Sequence, residues 1–224
     1  MTHHWLHLRL TAPLAAFGDV AIDHVGPTRD FPSASALTGL LANALGLRRE
    51  ASEAHADLQA RLVFGALIVR QGSLLVDAQN AKLEANDRGW TTWGRPEGRA
   101  GATYDTPHRR HRDHLADHDC RVVLRLTATA DTSAPDLGAV AAALDRPARP
   151  LFIGRKHCLP ATRLFAGRVE GATVREALSA LGLPGRAIWP AEEGGGTVCA
   201  VADLRNWHTG LHAGDRRICQ GEIS

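Results

Sequence analysis

At 224 residues, with 44% hydrophobic and 22% charged residues, the chain has the make-up of an ordinary soluble protein able to bury a core, as one large domain or two small ones. A formal net charge of +2 excludes bulk charge as a reason to bind a polyanion, so that argument must come from local clustering. No apolar run is long enough to span a bilayer, no charged-then-apolar leader opens the sequence, and Cys120, Cys158, Cys199 and Cys219 form no Cys-x-x-Cys pair, so the expectation is a cytoplasmic protein with reduced thiols and no membrane partner.

In chain order, Leu6, Leu8 and Leu10 alternate with His7, Arg9 and Thr11, the period of a strand with one buried face. Pro13 ends it, because proline cannot donate to a ladder. A loop from Phe17 to Pro32 leads to Ser33-Ala34-Ser35, where a helix opens. Its apolar positions, Leu37, Leu40, Leu41, Ala44 and Leu45, share one face, and Gly46 is placed for a left-handed cap. The start of that helix, beside Arg29, is expected to aim free N–H groups outward from Ser33 and Ser35, an arrangement that attracts phosphate. Glu50 to Ala60 extends the helical layer. Leu62–Val69 and Leu74–Val76 read as strands on either side of a tight turn, Gln71-Gly72-Ser73. Residues 78–118 show no sustained apolar period, yet hold Trp90, Trp93, Tyr104 and seven Lys or Arg residues. A stretch that long and irregular is functional or disordered. Val122, Leu124, Leu126 and Ala128 then alternate as a strand. Leu137, Val140, Ala141 and Leu144 form a second amphipathic helix, and Leu151-Phe152-Ile153 reads as a short strand.

Strand, helix, strand, strand, helix, strand is the α+β, ferredoxin-like order also used by RNA-recognition (RRM-like) modules. Residues 1–158 would form that domain, with 78–118 inserted between its middle strands as a projecting arm. Residues 159–224 would form a small C-terminal α/β unit. There Leu164–Ala166 and Val198–Val201 read as strands, and Thr173 with Glu176 is a capping box for a helix closed by Gly182 and Pro184.

The densest charge lies between Arg146 and Arg168, with Arg149, Arg155, Lys156 and Arg163 and no acidic residue between them. Gly154 would let backbone approach a ligand closely, and guanidinium groups suit phosphate because each donates two parallel hydrogen bonds. The alternative is a solvated face. A second signal is Pro107-His108-Arg109-Arg110-His111-Arg112 at the base of the arm. With Trp90 and Trp93 it offers the cations and stacking planes that single-stranded RNA needs, although seven bases face six acids across 78–118. His108, His111, His114 and His118 would line one helical face, but the arginines between them would repel a cation, so no metal or other cofactor is expected. Tyr104, Lys82 and a histidine could build a metal-independent RNA cleavage site, although no spacing singles them out. Gly-x-Ser-x-Gly, Walker and His-Glu-x-x-His motifs are absent.

Several segments together resemble one family. Leu8-Arg9-Leu10-Thr11-Ala12-Pro13, Ala16-Phe17-Gly18, Pro27-Thr28-Arg29-Asp30-Phe31-Pro32-Ser33, Leu37-Thr38-Gly39-Leu40-Leu41 and Leu45-Gly46 look like the CasD family, the RAMP-type subunit of the type I-E CRISPR Cascade. Arg112-Asp113-His114-Leu115-Ala116-Asp117 resembles its Arg-acid-Tyr-Leu-x-Asp segment. Arg149-Pro150-Leu151-Phe152-Ile153-Gly154-Arg155-Lys156-His157-Cys158 with Pro160 resembles its Pro-x-x-x-Gly-Arg-Arg/Lys-x-Cys-Pro segment. The resemblance covers about residues 4–168.

It implies a ferredoxin-like domain whose arm is a thumb, and a noncatalytic role in antiviral defence. That role is to grip the 5′ handle of the crRNA, cap the Cascade backbone subunits and contact the large PAM-reading subunit, with target DNA met only indirectly. Relatives in another subtype cleave precursor RNA, so a metal-independent endoribonuclease is the alternative. Two departures weigh against that chemistry: Gly89-Trp90-Thr91 stands where the family often has a Tyr-His-Thr-like segment, and His114 stands where Tyr is usual. The residues expected to hold RNA are Arg29, Ser33, Ser35, Trp90, Trp93, His108, Arg109, Arg110, Arg112, Arg149, Gly154, Arg155 and Lys156.

Overall fold

The computed structural model describes residues 1–21, 23–81 and 107–224, with the backbone of 89–90 and 96–97. The alternating leucines give β1 (His3–Thr11). Ser33 caps α1 (Ala34–Leu45) by accepting from the Ala36 N–H, and Gly46 ends it at φ +80°, a left-handed conformation that costs glycine little. α2 (Ser52–Arg61) follows and runs directly into β4 (Leu62–Arg70). β9 (Asp119–Leu126) leads to α3 (Leu137–Asp145), which is capped by Asp136. β10 (Phe165–Gly171), α4 (Val174–Ser179), β11 (Gly185–Pro190), β12 (Thr197–Arg205) and β13 (His212–Ile223) complete the main layer.

These seven strands form one sheet in the order β10-β1-β9-β4-β11-β13-β12, and every pairing is antiparallel. Strand alternation sorts its side chains into two cores. Leu6, Leu8, Phe64, Val122 and Leu124 pack with Leu37 and Leu41 of α1 and Val140 and Leu144 of α3. Trp5, Leu67, Val123 and Trp189 pack on the other face with Val174 and Leu178 of α4. The fold is therefore mixed α/β, with helices on both faces of this antiparallel sheet. No helix among the described residues is long and apolar enough to cross a membrane.

Two expectations are corrected. Leu151–Ile153 is not a strand. It belongs to a tight loop in which the Ile153 N–H donates to the Cys158 carbonyl and the Cys158 N–H to the Arg155 carbonyl, both at 2.8 Å. Three apolar residues are too few to separate a strand from a buried loop. The strand beside β1 is instead β10, and β11, β12 and β13 continue the same sheet. The ends of the 78–118 segment are also regular. β5 (Ser73–Ala81) pairs antiparallel with β8 (His108–Ala116) over nine positions, from Ser73 with Ala116 to Ala81 with His108. Beyond Leu74-Leu75-Val76 the two strands are largely polar on both faces and show no apolar period, which is why the sequence hid how far they run.

β2 (Leu14–Ala15) and β3 (Val25–Gly26) pair with the other edge of β8, which holds the loop before α1 against it. β4 and β5, though adjacent in the chain, lie in different sheets. The Gln71–Ser73 turn between them needs Gly72, because a Cβ there would press on the Ala116 carbonyl and His118. Between β5 and β8, β6 (Gly89–Trp90) pairs with β7 (Pro96–Glu97). Lys82, Trp93 and Tyr104 lie outside the described residues, as does the side chain of Trp90.

Candidate nucleic-acid interface

α1 starts against a groove. One hollow of about 620 Å³ lies between the first half of α1, the loop carrying Gly154 and Arg155, and the turn joining β12 to β13. A second, of about 540 Å³, continues along α1 toward Leu47 and α2, and the two share Gly39, Asn43, Phe152 and Trp207. Arg29, Ser33, Ser35, Gly154 and Arg155 line the first hollow and Arg149 the second. Residues that sequence reasoning assigned from separate segments thus meet along one channel.

Several of them are held differently from expectation. The N–H groups at the head of α1 are not free. Ala34 donates to the Asp203 carboxylate at 3.1 Å, and Ala36 to Ser33 Oγ at 3.1 Å. Ser33 Oγ lies 3.1 Å from Ser35 Oγ. Asp203 is only 4% exposed and is paired with Arg216, so its carboxylate occupies the place foreseen for phosphate. Arg29 donates through Nε to Asp19 at 2.8 Å and through Nη2 to the Ala202 carbonyl at 3.0 Å.

Gly154 sits at φ +86°, and a Cβ there would collide with the Ala16 carbonyl, so the close approach it permits is to the chain's own backbone. Arg149 caps the far end of α1 by donating to the carbonyls of Gly46 at 2.9 Å and Leu47 at 2.8 Å. Arg163 pairs with Asp145. The Arg146–Arg168 cluster is therefore spread over several roles instead of one patch. Lys156 is exposed outside the groove.

His108, Arg109 and Arg110 are exposed on β8, and Arg112 lies half-buried against Gly26, none of them in the groove. The histidines at 108, 111 and 114 lie on a strand, not a helix, so His111 points away from the face of the other two. His118 lies beyond it, accepting the Gly72 N–H through Nδ1 and resting edge-on against Phe17.

The groove also holds residues the sequence reading passed over. Trp207, at the β12–β13 turn, has its ring 4.7 Å from that of His55, and the Arg205 guanidinium lies 5.3 Å from the Trp207 centroid. Gln59 of α2 anchors this turn by exchanging hydrogen bonds with the Arg205 carbonyl and N–H at 3.0 and 3.2 Å. Gly39 leaves α1 thin where it faces the tryptophan, for a Cβ there would touch the ring at 3.9 Å. The two hollows together present Arg29, Arg49, Arg149, Arg155 and Arg205 against Asp19, Glu50 and Asp203. With Asp19 and Asp203 already paired, the unspent charge is positive. A cation next to an aromatic ring, the signal sought at Trp90 and Trp93, was present in Arg205-Asn206-Trp207-His208 as well.

A family model described as CRISPR-associated protein (Cas_Cas5) matches residues 5–219. The chain belongs to that family. This Cas5 chain is 28% identical over 174 residues to the CRISPR system Cascade subunit CasD of Escherichia coli (strain K12), a span covering 78% of this chain and 75% of CasD. Its fold resembles a chain of a solved CRISPR RNA-guided surveillance complex with a TM-score of 0.75 at 22% identity, covering 98% of this chain and 90% of the other. A crystal structure of a Cas protein gives a TM-score of 0.65 at 25% identity, over 98% of this Cas5 chain and 94% of that one.

Proposed function

We propose that this chain is a noncatalytic, RNA-binding subunit of a Cascade-type CRISPR surveillance complex. It holds the 5′ handle of the crRNA in the α1 groove, caps the backbone filament and contacts the large PAM-reading subunit, so that target DNA is met only indirectly. The observation that carries this reading is the channel itself. Five arginines and Trp207 from distant parts of the chain line one groove, and cations beside an aromatic plane suit a short single strand. The relative named as a Cascade subunit and the fold shared with a surveillance-complex chain support the setting.

We read β1, β4, β9 and β10 with α1 and α3 as a ferredoxin-like unit, a reading supported by the strand order β10-β1-β9-β4. The β5–β8 hairpin is then its thumb, and the exposed Arg109 and Arg110, toward the end of that ladder remote from the main sheet, form a second phosphate contact, with Lys156 reaching the same backbone.

Fluorescence anisotropy with a labelled RNA carrying the repeat-derived 5′ handle, run over a range of salt concentrations, tests the groove. Trp207→Ala is expected to cost roughly 1–3 kcal/mol of binding. Arg205→Ala is expected to reduce the salt slope by about 0.7. In EDTA the RNA should stay full length. Unchanged affinity and slope would remove the groove from the account, and cleavage would move the chain to the endoribonuclease reading.

A further inference from the structure

We propose that His114, His157 and Cys158 form a zinc site that staples the 154–158 loop to strand β8. The ligating atoms of these three residues all lie within 4.8 Å of one another. His114 Nε2 is 2.7 Å from His157 Nε2. Two imidazoles and a thiol are a donor set suited to a borderline-soft d¹⁰ ion, and three protein ligands leave a fourth position for water.

The orientation of His114 supports this. Its Nδ1 lies 3.0 Å from the Arg112 carbonyl, which can only accept, so Nδ1 carries the proton and Nε2 is left with a lone pair. A backbone carbonyl fixing the tautomer in this way is the outer-shell arrangement that metal-bound histidines use. His114 and Cys158 are each 1% exposed, whereas His157 is exposed, which gives the ion an entry side.

Without metal, His157 donates its Nε2–H to His114. On binding, that proton moves to Nδ1 of His157, the Cys158 thiol gives up one proton to solvent, and three lone pairs meet the ion. Zinc bond lengths set ligand atoms roughly 3.3–3.6 Å apart. The two imidazole nitrogens, 2.7 Å apart, must therefore part by roughly 0.6 Å, and any ligand pair as wide as 4.8 Å must close by about 1.2 Å, shifts that the exposed His157 and its loop would have to supply.

Arg155 is the group that opposes the ion. Its Nη1 lies 3.1 Å from His114 Nε2 and 3.4 Å from Nδ1. Near-equal distances to both ring nitrogens put the guanidinium over the ring face, off the lone-pair direction. The negative thiolate that Cys158 brings offsets part of its charge.

Titrating Zn²⁺ into the full chain against a chromogenic chelator, with Co²⁺ in parallel, tests the site. The expected result is one equivalent bound, a four-coordinate Co²⁺ visible spectrum and a near-ultraviolet thiolate-to-cobalt band that Cys158→Ser abolishes. His157→Gln changes an exposed side chain and leaves the core intact, so it decides the matter even if the Cys158 variant fails to fold. It should weaken zinc binding by at least tenfold. Failure to bind one equivalent, or a spectrum and affinity unaltered by His157→Gln, would overturn the site.

Discussion

The Arg155 guanidinium donates to the Asp113 carbonyl at 2.7 Å and to the Gly26 carbonyl at 2.8 Å, tying β8 to β3. Burial, with Arg112 beside it, holds its pKa below the usual arginine value. Its neighbour Lys156 is exposed. Arg155→Ala should therefore destabilise the fold by about 1.5–3 kcal/mol for each charged hydrogen bond lost, whereas Lys156→Ala should stay within about 0.5 kcal/mol, as urea unfolding would measure. A loss of RNA binding in Arg155→Ala thus has to be read beside its stability. The sequence exposed the charge of this segment but not its direction. Direction depends on the turn at Gly154, where the close passage of Ala16 sets the backbone, and that contact spans residues remote in the chain. The same limit hid Asp203, whose carboxylate closes the head of α1 from far along the chain.

Elements with local signals were legible. Ser33, Asp136 and Thr173 each cap a helix where side-chain pattern and spacing placed a start. β11 and β13 were not legible. Gly214, Asp215, Arg216 and Arg217 carry no apolar alternation, and β13 is a strand because β11 and β12 flank it. β5 fails in the opposite sense. Leu74, Leu75 and Val76 read as an apolar strand, yet they are 62%, 42% and 53% exposed on a strand that, among the described residues, pairs with β8 alone. An apolar edge of this kind is a template for pairing with another chain. Leu74→Lys with Val76→Lys should lower self-association of the isolated chain in light scattering while leaving its melting temperature unchanged. A marked fall in melting temperature would show that the edge serves this fold and not a partner.

Among the described residues of the metal-free chain, three histidines make stability depend on pH. Burial holds His7, His114 and His118 below the ordinary histidine pKa of 6.5, with Arg121 adding to the effect at His7 and Arg155 at His114. The unfolded chain therefore takes up these protons at a higher pH than the folded one. Stability is complete above about pH 6.5 and falls as pH drops through that value toward the folded pKa values. The urea midpoint should decline from pH 7.5 to 5.5. His118→Asn, which keeps an acceptor for the Gly72 N–H, should make that decline shallower; an identical slope would show that His118 takes no part. At this scale the order of the early elements was readable, but the continuation of the sheet past residue 159 was not, because it rests on pairings between remote strands. Those pairings also set a timetable. Ala34 and Asp203 are 169 residues apart. At about 5–20 residues per second of synthesis, the first helix waits on the order of ten to thirty seconds for the carboxylate at its head, and the wall that carries Trp207 is the last part of its groove to be made.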